Sequence, residues 1–264
     1  MWFDLLMDDC KASLELSHKY KGVFVPVFLK LILTMIMGTF VIISVITSVA
    51  SGVFSGLHGS EGLGLFMQII APFGFFLIAG YILYLILWAL IEVGSINLYR
   101  AALSDEKPSK IHFFSGIKDY LKKVAAGKML IHFLCLILSP LLLAFFVLYA
   151  VIIGIPTAGW GVIFLTVGVS AYFATWTIAI VNDDLGILEG FGTSFKLAKR
   201  HFKPLFVIML ALTMISQYAA WLVGPLGFVF AGWFLGGIVK IYFRIVTYKT
   251  YLRYQKDIPE LDQI

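Results

Sequence analysis

Four stretches of this chain carry no charged residue, and each is long enough to cross a lipid bilayer. They are residues 31–60, 62–91, 129–182 and 204–239. A membrane-spanning helix needs about 20 consecutive apolar residues. The strands of a membrane barrel would alternate polar and apolar residues over about 10 positions, and these runs are apolar throughout. The sequence therefore predicts an all-α membrane protein.

Steps that contain glycine and proline divide the two longest uncharged runs. Gly154-Ile155-Pro156 splits the third run into two helices, because proline lacks the backbone N–H and disfavours helix in the residue before it. Gly224-Pro225 splits the fourth run, whose last helix must then continue past Lys240. The prediction is six transmembrane helices in one polytopic domain, residues 1–264. With 61% hydrophobic and 13% charged residues, a water-soluble domain is excluded.

The cations indicate the orientation in the membrane. All 20 lysines and arginines lie before the first predicted helix, in the second and fourth loops, or at the C-terminal end. By the positive-inside rule both termini are cytoplasmic. The basic balance then reflects topology and attraction to anionic lipid headgroups, so no nucleic-acid partner is expected.

An amphipathic segment recurs before the first, third and fifth predicted helices. In the first copy Phe3, Leu6, Cys10 and Leu14 form an apolar stripe. Residues 114–124 and 188–202 give the second and third copies, and residues 13–16 align with 194–197. We interpret these segments as elbow helices that lie in the headgroup plane, with packing of the apolar stripe on the bundle as the alternative. The chain is then three repeats of elbow plus transmembrane hairpin, residues 1–100, 101–181 and 182–264.

Two segments resemble a known prokaryotic group. Residues 182–199 read NDDLGILEGFGTSFKLAK after the Gly154-Ile155-Pro156 step, and residues 94–102 read GSINLYRAA. Both are similar to sequences in YciC-like inner-membrane proteins and in the membrane domain attached to some glycerophosphodiester phosphodiesterases. The resemblance implies a multi-pass protein of the prokaryotic plasma (inner) membrane. The phosphodiesterase activity of the fused members belongs to a soluble barrel and is not implied.

Several polar residues are candidates for a site within the membrane. Glu92 ends the second uncharged run, and we expect it to pair with Lys240 or Arg244, although independent snorkelling of each charge is an alternative. Asn97 and Arg100 would join this polar cluster at the inner mouth of any transport path.

Other residues have competing interpretations. Asp183 and Asp184 could bind a cation or act as acid and base, but helix capping explains them better. The Gly232 and Gly236 spacing permits close helix approach, within one bundle or in a homodimer. No catalytic motif or metal-ligand spacing is present, so neither a catalytic residue nor a cofactor is assigned.

The elbows carry the residues that we expect to bind lipid headgroups: Lys118, Lys122, Lys123, Lys196, Lys199, Arg200 and Lys203. The leading hypothesis is a non-enzymatic membrane protein that handles or transports a lipid or small amphiphile, or a membrane subunit of an envelope complex. The alternatives are a lipid-modifying enzyme that uses carboxylates near the cytoplasmic face, and a structural scaffold or regulator. The expected partners are anionic membrane lipids, and a protein partner or second copy is allowed.

Overall fold

The computed structural model describes residues 2–56, 62–223 and 229–256. Regular structure in this part of the chain is helical, with no strand. A 3-10 turn, Lys21–Phe24, lies between the first two helices. The helices are α1 (Trp2–Lys19), α2 (Val25–Gly56), α3 (Gly62–Leu103), α4 (Lys110–Phe114), α5 (Ile117–Ile153), α6 (Ile155–Tyr172), α7 (Trp176–Asp183), α8 (Ile187–Arg200), α9 (Phe202–Val223) and α10 (Val229–Gln255).

Four segments of the described residues are long and apolar enough to cross a membrane, as in a multi-pass membrane protein. They are Lys21–Ile43, Leu77–Leu103, Ile117–Ile153 and Gly159–Asp183. Their apolar side chains face outward to an extent that water would not tolerate: Val151 on α5, for example, is 80% exposed. The predicted all-α membrane class is therefore supported. The remaining two of the six predicted spans, in α9 and α10, stay a prediction; α9 contributes a shorter apolar helix, Phe202–Ser216.

Six long helices pack in chain order around a ring. α2 contacts α3, α3 contacts α5, α5 contacts α6, α6 contacts α9 and α9 contacts α10. The ring closes because α10 also packs against α2. At one end of this bundle α3 and α10 finish and α5 and α9 begin. We call it the basic end, because the chain's lysines and arginines lie there.

The break between α5 and α6 lies where the sequence predicts it. Gly154 has a φ of 90°, which favours glycine, and Pro156 occupies the first turn of α6, where a missing N–H costs nothing. Gly116, with a φ of 67°, plays the corresponding role before α5.

The elbow predictions have different outcomes. α1 and α8 are separate helices before α2 and α9. The second predicted elbow is not a separate helix, because residues 117–124 form the first two turns of α5. The residues of the predicted apolar stripe of α1 do not share one environment: Leu6 is buried, whereas Phe3 and Leu14 are exposed.

The buried faces of α1 and α8 are mostly polar or small, with one leucine in each, Leu6 and Leu197. The aligned serines Ser13 and Ser194 are both fully buried, and the residues that follow them, Leu14 and Phe195, are both exposed. Each elbow thus packs on the bundle through small side chains and presents apolar side chains outward. An amphipathic helix at a membrane surface needs this orientation, because its apolar face must meet the acyl chains.

Candidate functional site

Charged residues from three helices meet inside the basic end of the bundle. The carboxylate of Glu92, on α3, forms ion pairs with the ammonium group of Lys128, on α5, and with the guanidinium group of Arg244, on α10. Thr177, on α7, donates a hydrogen bond from Oγ1 to Glu92 Oε1 at 2.8 Å. The Lys128 and Glu92 side chains are only 8% and 12% exposed. These four residues are called the Glu92 cluster.

The cluster lies at one level of the bundle. Glu92, Lys128 and Arg244 are each eleven positions from the basic end of their helix, which is about 16 Å by helical rise. Glu92 and Lys128 are also the residues that bound the uncharged runs of α3 and α5. The charges therefore converge where apolar surface gives way to polar surface. In a bilayer this is the headgroup region.

Arg244 also connects the cluster to a break in the chain between α6 and α7. Its Nη1 donates to the carbonyl oxygen of Ala174 at 3.0 Å. Helix interruption leaves such carbonyls without an intrahelical donor, and a cation supplies one. On the other side of the break, Ser194 Oγ donates to the carbonyl oxygen of Tyr172 at 2.6 Å and bonds Thr175 Oγ1 at 2.9 Å.

A cavity of about 700 Å³ lies beside the Glu92 cluster, within the roughly 300–1,000 Å³ of sites that hold small molecules. Helices α2, α3, α5, α9 and α10 contribute to its wall. Two further cations, Lys30 from α2 and Lys240 from α10, line it together with Lys128 and Arg244. Among the described residues, neither Lys30 nor Lys240 has a carboxylate within ion-pair distance. The cavity thus holds four cations and one carboxylate, Glu92.

Two further polar groups of the cavity wall are buried and have no hydrogen-bond partner among the described residues. Trp88 Nε1 and Ser216 Oγ are buried and accept or donate no hydrogen bond within the part of the chain that the structure describes. The Trp88 ring lies 4.3 Å from Lys128 Nζ and 5.7 Å from Lys30 Nζ, so it helps to hold both cations by cation–π attraction. Apolar side chains, including Leu31, complete the wall.

The structure distributes the residues of the predicted polar cluster over two places. Glu92 contacts Arg244, one of the two pairings that the sequence suggests, and Lys240 lines the cavity without pairing to Glu92. Asn97 instead donates to the carbonyl oxygen of Ser115. Arg100 donates to the carbonyl oxygen of Val181 at 2.6 Å, so these two residues tie α3 to neighbouring segments.

Asp183 and Asp184, for which the sequence favours helix capping over catalysis, do not share partners with Glu92. Asp183 accepts from the Asn182 amide at 2.7 Å and bonds the Tyr251 hydroxyl. Asp184 pairs with Lys123 at 2.9 Å on the surface. No group of three or more metal-ligating side chains occurs in residues 2–56, 62–223 and 229–256. Neither aspartate thus joins the cavity.

The predicted headgroup-binding lysines and arginine lie on the surface of the basic end. Lys123 is half-buried by its pairing with Asp184. The others are exposed: Lys118, Lys122, Lys196, Lys199, Arg200 and Lys203.

Close helix approach in α10 occurs one residue away from the predicted spacing. A Cβ added to Gly237 would lie 2.7 Å from Val27 of α2, whereas one added to Gly236 would meet nothing within 4 Å, because Gly236 faces the cavity. The surroundings of Gly232 lie outside the described residues. Gly237 therefore allows the ring to close.

Sequence reasoning missed three contributors to this site. Lys30 and Lys128 look like ordinary loop-side lysines, and Thr177 is an unremarkable residue of an apolar stretch. One signal was available: Lys30, Glu92, Lys128 and Lys240 each bound an uncharged run. Residues at the same depth on neighbouring helices can meet, which the sequence cannot show without the order of the helices in the ring.

No family model, curated protein or solved structure matches this chain. The resemblance to YciC-like proteins and to phosphodiesterase membrane domains therefore remains a prediction from the quoted motifs.

Proposed function

We propose that this protein binds an anionic amphiphile, most simply a membrane lipid, and handles or transports it without chemical change. The observation that carries the proposal is the cavity at the boundary of the apolar runs, where Lys30, Lys128, Lys240 and Arg244 face a single carboxylate. Lys128 is buried and Lys30 and Arg244 are partly buried, whereas Lys240 is exposed. Cations that are withdrawn from water without full compensation are costly, and an anionic ligand would compensate them. The apolar part of the wall suits an acyl chain.

The topology that we propose places this cavity at the cytoplasmic leaflet of a prokaryotic plasma membrane. It combines six transmembrane helices, cytoplasmic termini and three repeats of elbow plus hairpin. The closed ring of long helices and the matching buried serines of α1 and α8 support it. The exposed lysines of the basic end would attract anionic lipids, because the negative surface potential of the cytoplasmic leaflet favours basic segments beside it.

The geometry favours binding over a lipid-modifying reaction. Glu92 is occupied by two cations and a threonine hydroxyl, so its carboxylate has little freedom to accept a proton. Asp183 and Asp184 have partners of their own away from the cavity. A role as a membrane subunit of an envelope complex is compatible with lipid binding, and co-purification distinguishes it.

Native mass spectrometry of the protein, released from its own membrane in gentle detergent, tests the proposal. We expect one anionic lipid at fixed stoichiometry, lost in the double variant Lys30→Gln/Lys240→Gln. The matched control Lys118→Gln/Lys122→Gln removes the same charge from the exposed start of α5 and should keep the lipid. Failure to retain any anionic lipid would overturn the proposal, and a stoichiometric protein partner without lipid would favour the scaffold alternative.

A further inference from the structure

We infer that the headgroup bound in the cavity carries a terminal phosphate, with two or more negative charges, rather than a phosphodiester with one. This inference rests on the proposed function and specifies its ligand. It follows from the balance of charge in the cavity, from the balance of donors and acceptors there, and from the position of the two unpaired lysines.

The charge balance requires more than one negative charge. Lys30, Lys128, Lys240 and Arg244 carry four positive charges and Glu92 carries one negative charge, which leaves three in excess. A phosphodiester headgroup would neutralise one of them. A phosphomonoester carries roughly −1.5 to −2 at neutral pH, and a diphosphate carries more. Lys240 is exposed, so the excess charge that is withdrawn from water is the two left by Lys30, Lys128, Arg244 and Glu92. A phosphomonoester approaches neutrality with these groups, and a phosphodiester does not.

The hydrogen-bonding groups also select a ligand that accepts on several oxygens. Trp88 Nε1 and Ser216 Oγ are buried and unpartnered among the described residues, and a tryptophan N–H can only donate. Lys30 and Lys240 add ammonium donors. The acceptor capacity of Glu92 is already used by Lys128, Thr177 and Arg244. Because the Trp88 N–H and the ammonium groups of Lys30 and Lys240 can only donate, they suit the three terminal oxygens of a phosphomonoester.

The cations divide into a fixed pair and a free pair. Lys128 and Arg244 are held by Glu92, so they form a preorganised positive wall. Lys30 from α2 and Lys240 from α10 line the cavity from two helices that pack against each other. We place the phosphate between Lys30 and Lys240, with Trp88 Nε1 as a third donor.

Binding can be measured by titrating the purified protein, in neutral phosphatidylcholine nanodiscs, with phosphatidic acid or with phosphatidylglycerol of identical acyl chains. We expect at least tenfold tighter binding of phosphatidic acid. Lys30→Gln/Lys240→Gln should reduce this preference to about onefold, whereas Lys118→Gln/Lys122→Gln should keep it. Trp88→Phe retains the ring and removes the donor, so it should weaken phosphatidic acid more than phosphatidylglycerol.

The outcomes separate this inference from the proposed function. Equal binding of the two lipids would overturn the terminal phosphate and leave anionic-lipid binding in place. If neither lipid binds, both the terminal-phosphate inference and the proposed function are overturned. A final titration with inorganic phosphate distinguishes the source of the group: phosphate that binds as tightly as phosphatidic acid, and blocks it, would uphold the phosphate chemistry and assign it to a water-soluble ligand. Thermal melting of each variant controls for folding.

Discussion

Arg244 Nη1 lies 3.0 Å from the carbonyl oxygen of Ala174, so one guanidinium group links the carboxylate of Glu92 to the chain break between α6 and α7. Arg244 therefore belongs to the cavity wall and also binds the backbone of that break. The two contacts can be tested separately by mutation.

Glu92→Gln should destabilise the protein by about 3 kcal/mol, because it leaves the ion-pair partners Lys128 and Arg244 without a counter-charge in a poorly hydrated site. The measurement is thermal or denaturant unfolding in a fixed detergent. The control Glu189→Gln removes an exposed carboxylate whose oxygen caps α8 at 2.7 Å from Gly186 N, and its amide can still accept that bond. Adding Lys128→Gln to Glu92→Gln should recover part of the loss. Equal melting of Glu92→Gln and wild type would contradict the structural role of the cluster.

Ser194→Ala should cost about 1–3 kcal/mol, because it removes the side chain that bonds the Tyr172 carbonyl and the Thr175 N–H in a buried backbone break. Ser194 Oγ bonds the Tyr172 carbonyl, the Thr175 hydroxyl and, at 3.3 Å, the Thr175 N–H. Ser139→Ala is the matched control, since that exposed hydroxyl bonds only Leu136 within its own helix. Hydrogen exchange of the α7 amides should increase in Ser194→Ala alone, and unchanged exchange would show that the break does not need the serine.

Gly127→Ala should destabilise the packing of α5 against α7 by about 1–3 kcal/mol, the range for overpacking a filled site. A Cβ at Gly127 would lie 2.5 Å from the Trp176 ring. Gly192→Ala is the control, because its Cβ would meet nothing within 4 Å and alanine favours a helix by about 0.5–1 kcal/mol over glycine. The two variants should shift the melting temperature in opposite directions. A stabilising Gly127→Ala would mean that Trp176 can move away at little cost.

Two carboxylates of the basic end should give pH dependences of opposite sign. Burial raises the pKa of Asp9 above 3.8, although Arg253 and Lys249 oppose the shift. The folded state then binds the proton more tightly, so stability falls as pH rises from about 3.8 through the raised value. A hydrogen bond from Lys19 lowers the pKa of Asp105 below 3.8, so its contribution is present above 3.8 and lost as pH falls through the lowered value.

Substitution by asparagine removes each contribution separately. Asp9→Asn should reduce the loss of stability that occurs as pH rises above 3.8. Asp105→Asn should reduce the loss of stability that occurs as pH falls below 3.8, which is smaller because solvent screens this exposed pair. The measurement is the melting temperature from pH 3 to 7 in one detergent. Each variant is the control for the other, and identical profiles in both would contradict the assignment.

The sequence reveals much of this fold because the bilayer imposes simple requirements on length and hydropathy. The helix break at Gly154-Ile155-Pro156 and the helical class follow from backbone chemistry and from the uncharged runs. The choice between the two elbow orientations does not follow from the sequence, because α1 buries Asp9, Ser13 and Ser17 and exposes Leu14. Where lipid replaces water outside, an apolar stripe can face either the acyl chains or the bundle, so amphipathicity alone does not decide which side is buried.

The candidate site is only partly accessible to the same reasoning. Glu92 and Arg244 can be singled out as charges within apolar sequence, and their proximity needs only that α3 and α10 be neighbours. The participation of Lys30 and Lys128 depends on the order of the helices in the ring, which hydropathy does not encode. The donor role of Trp88 is visible only once its N–H is seen to be buried and unpartnered.

The closure of the ring has a consequence for biosynthesis. The cavity is walled by α2 and by α10, which lie far apart in the chain and pack directly against each other. Until α10 has been synthesised, Glu92 lacks Arg244 and the cavity lacks Lys240. A nascent chain that ends before α10 therefore has an open seam beside α2, and its cavity is incomplete until α10 packs there.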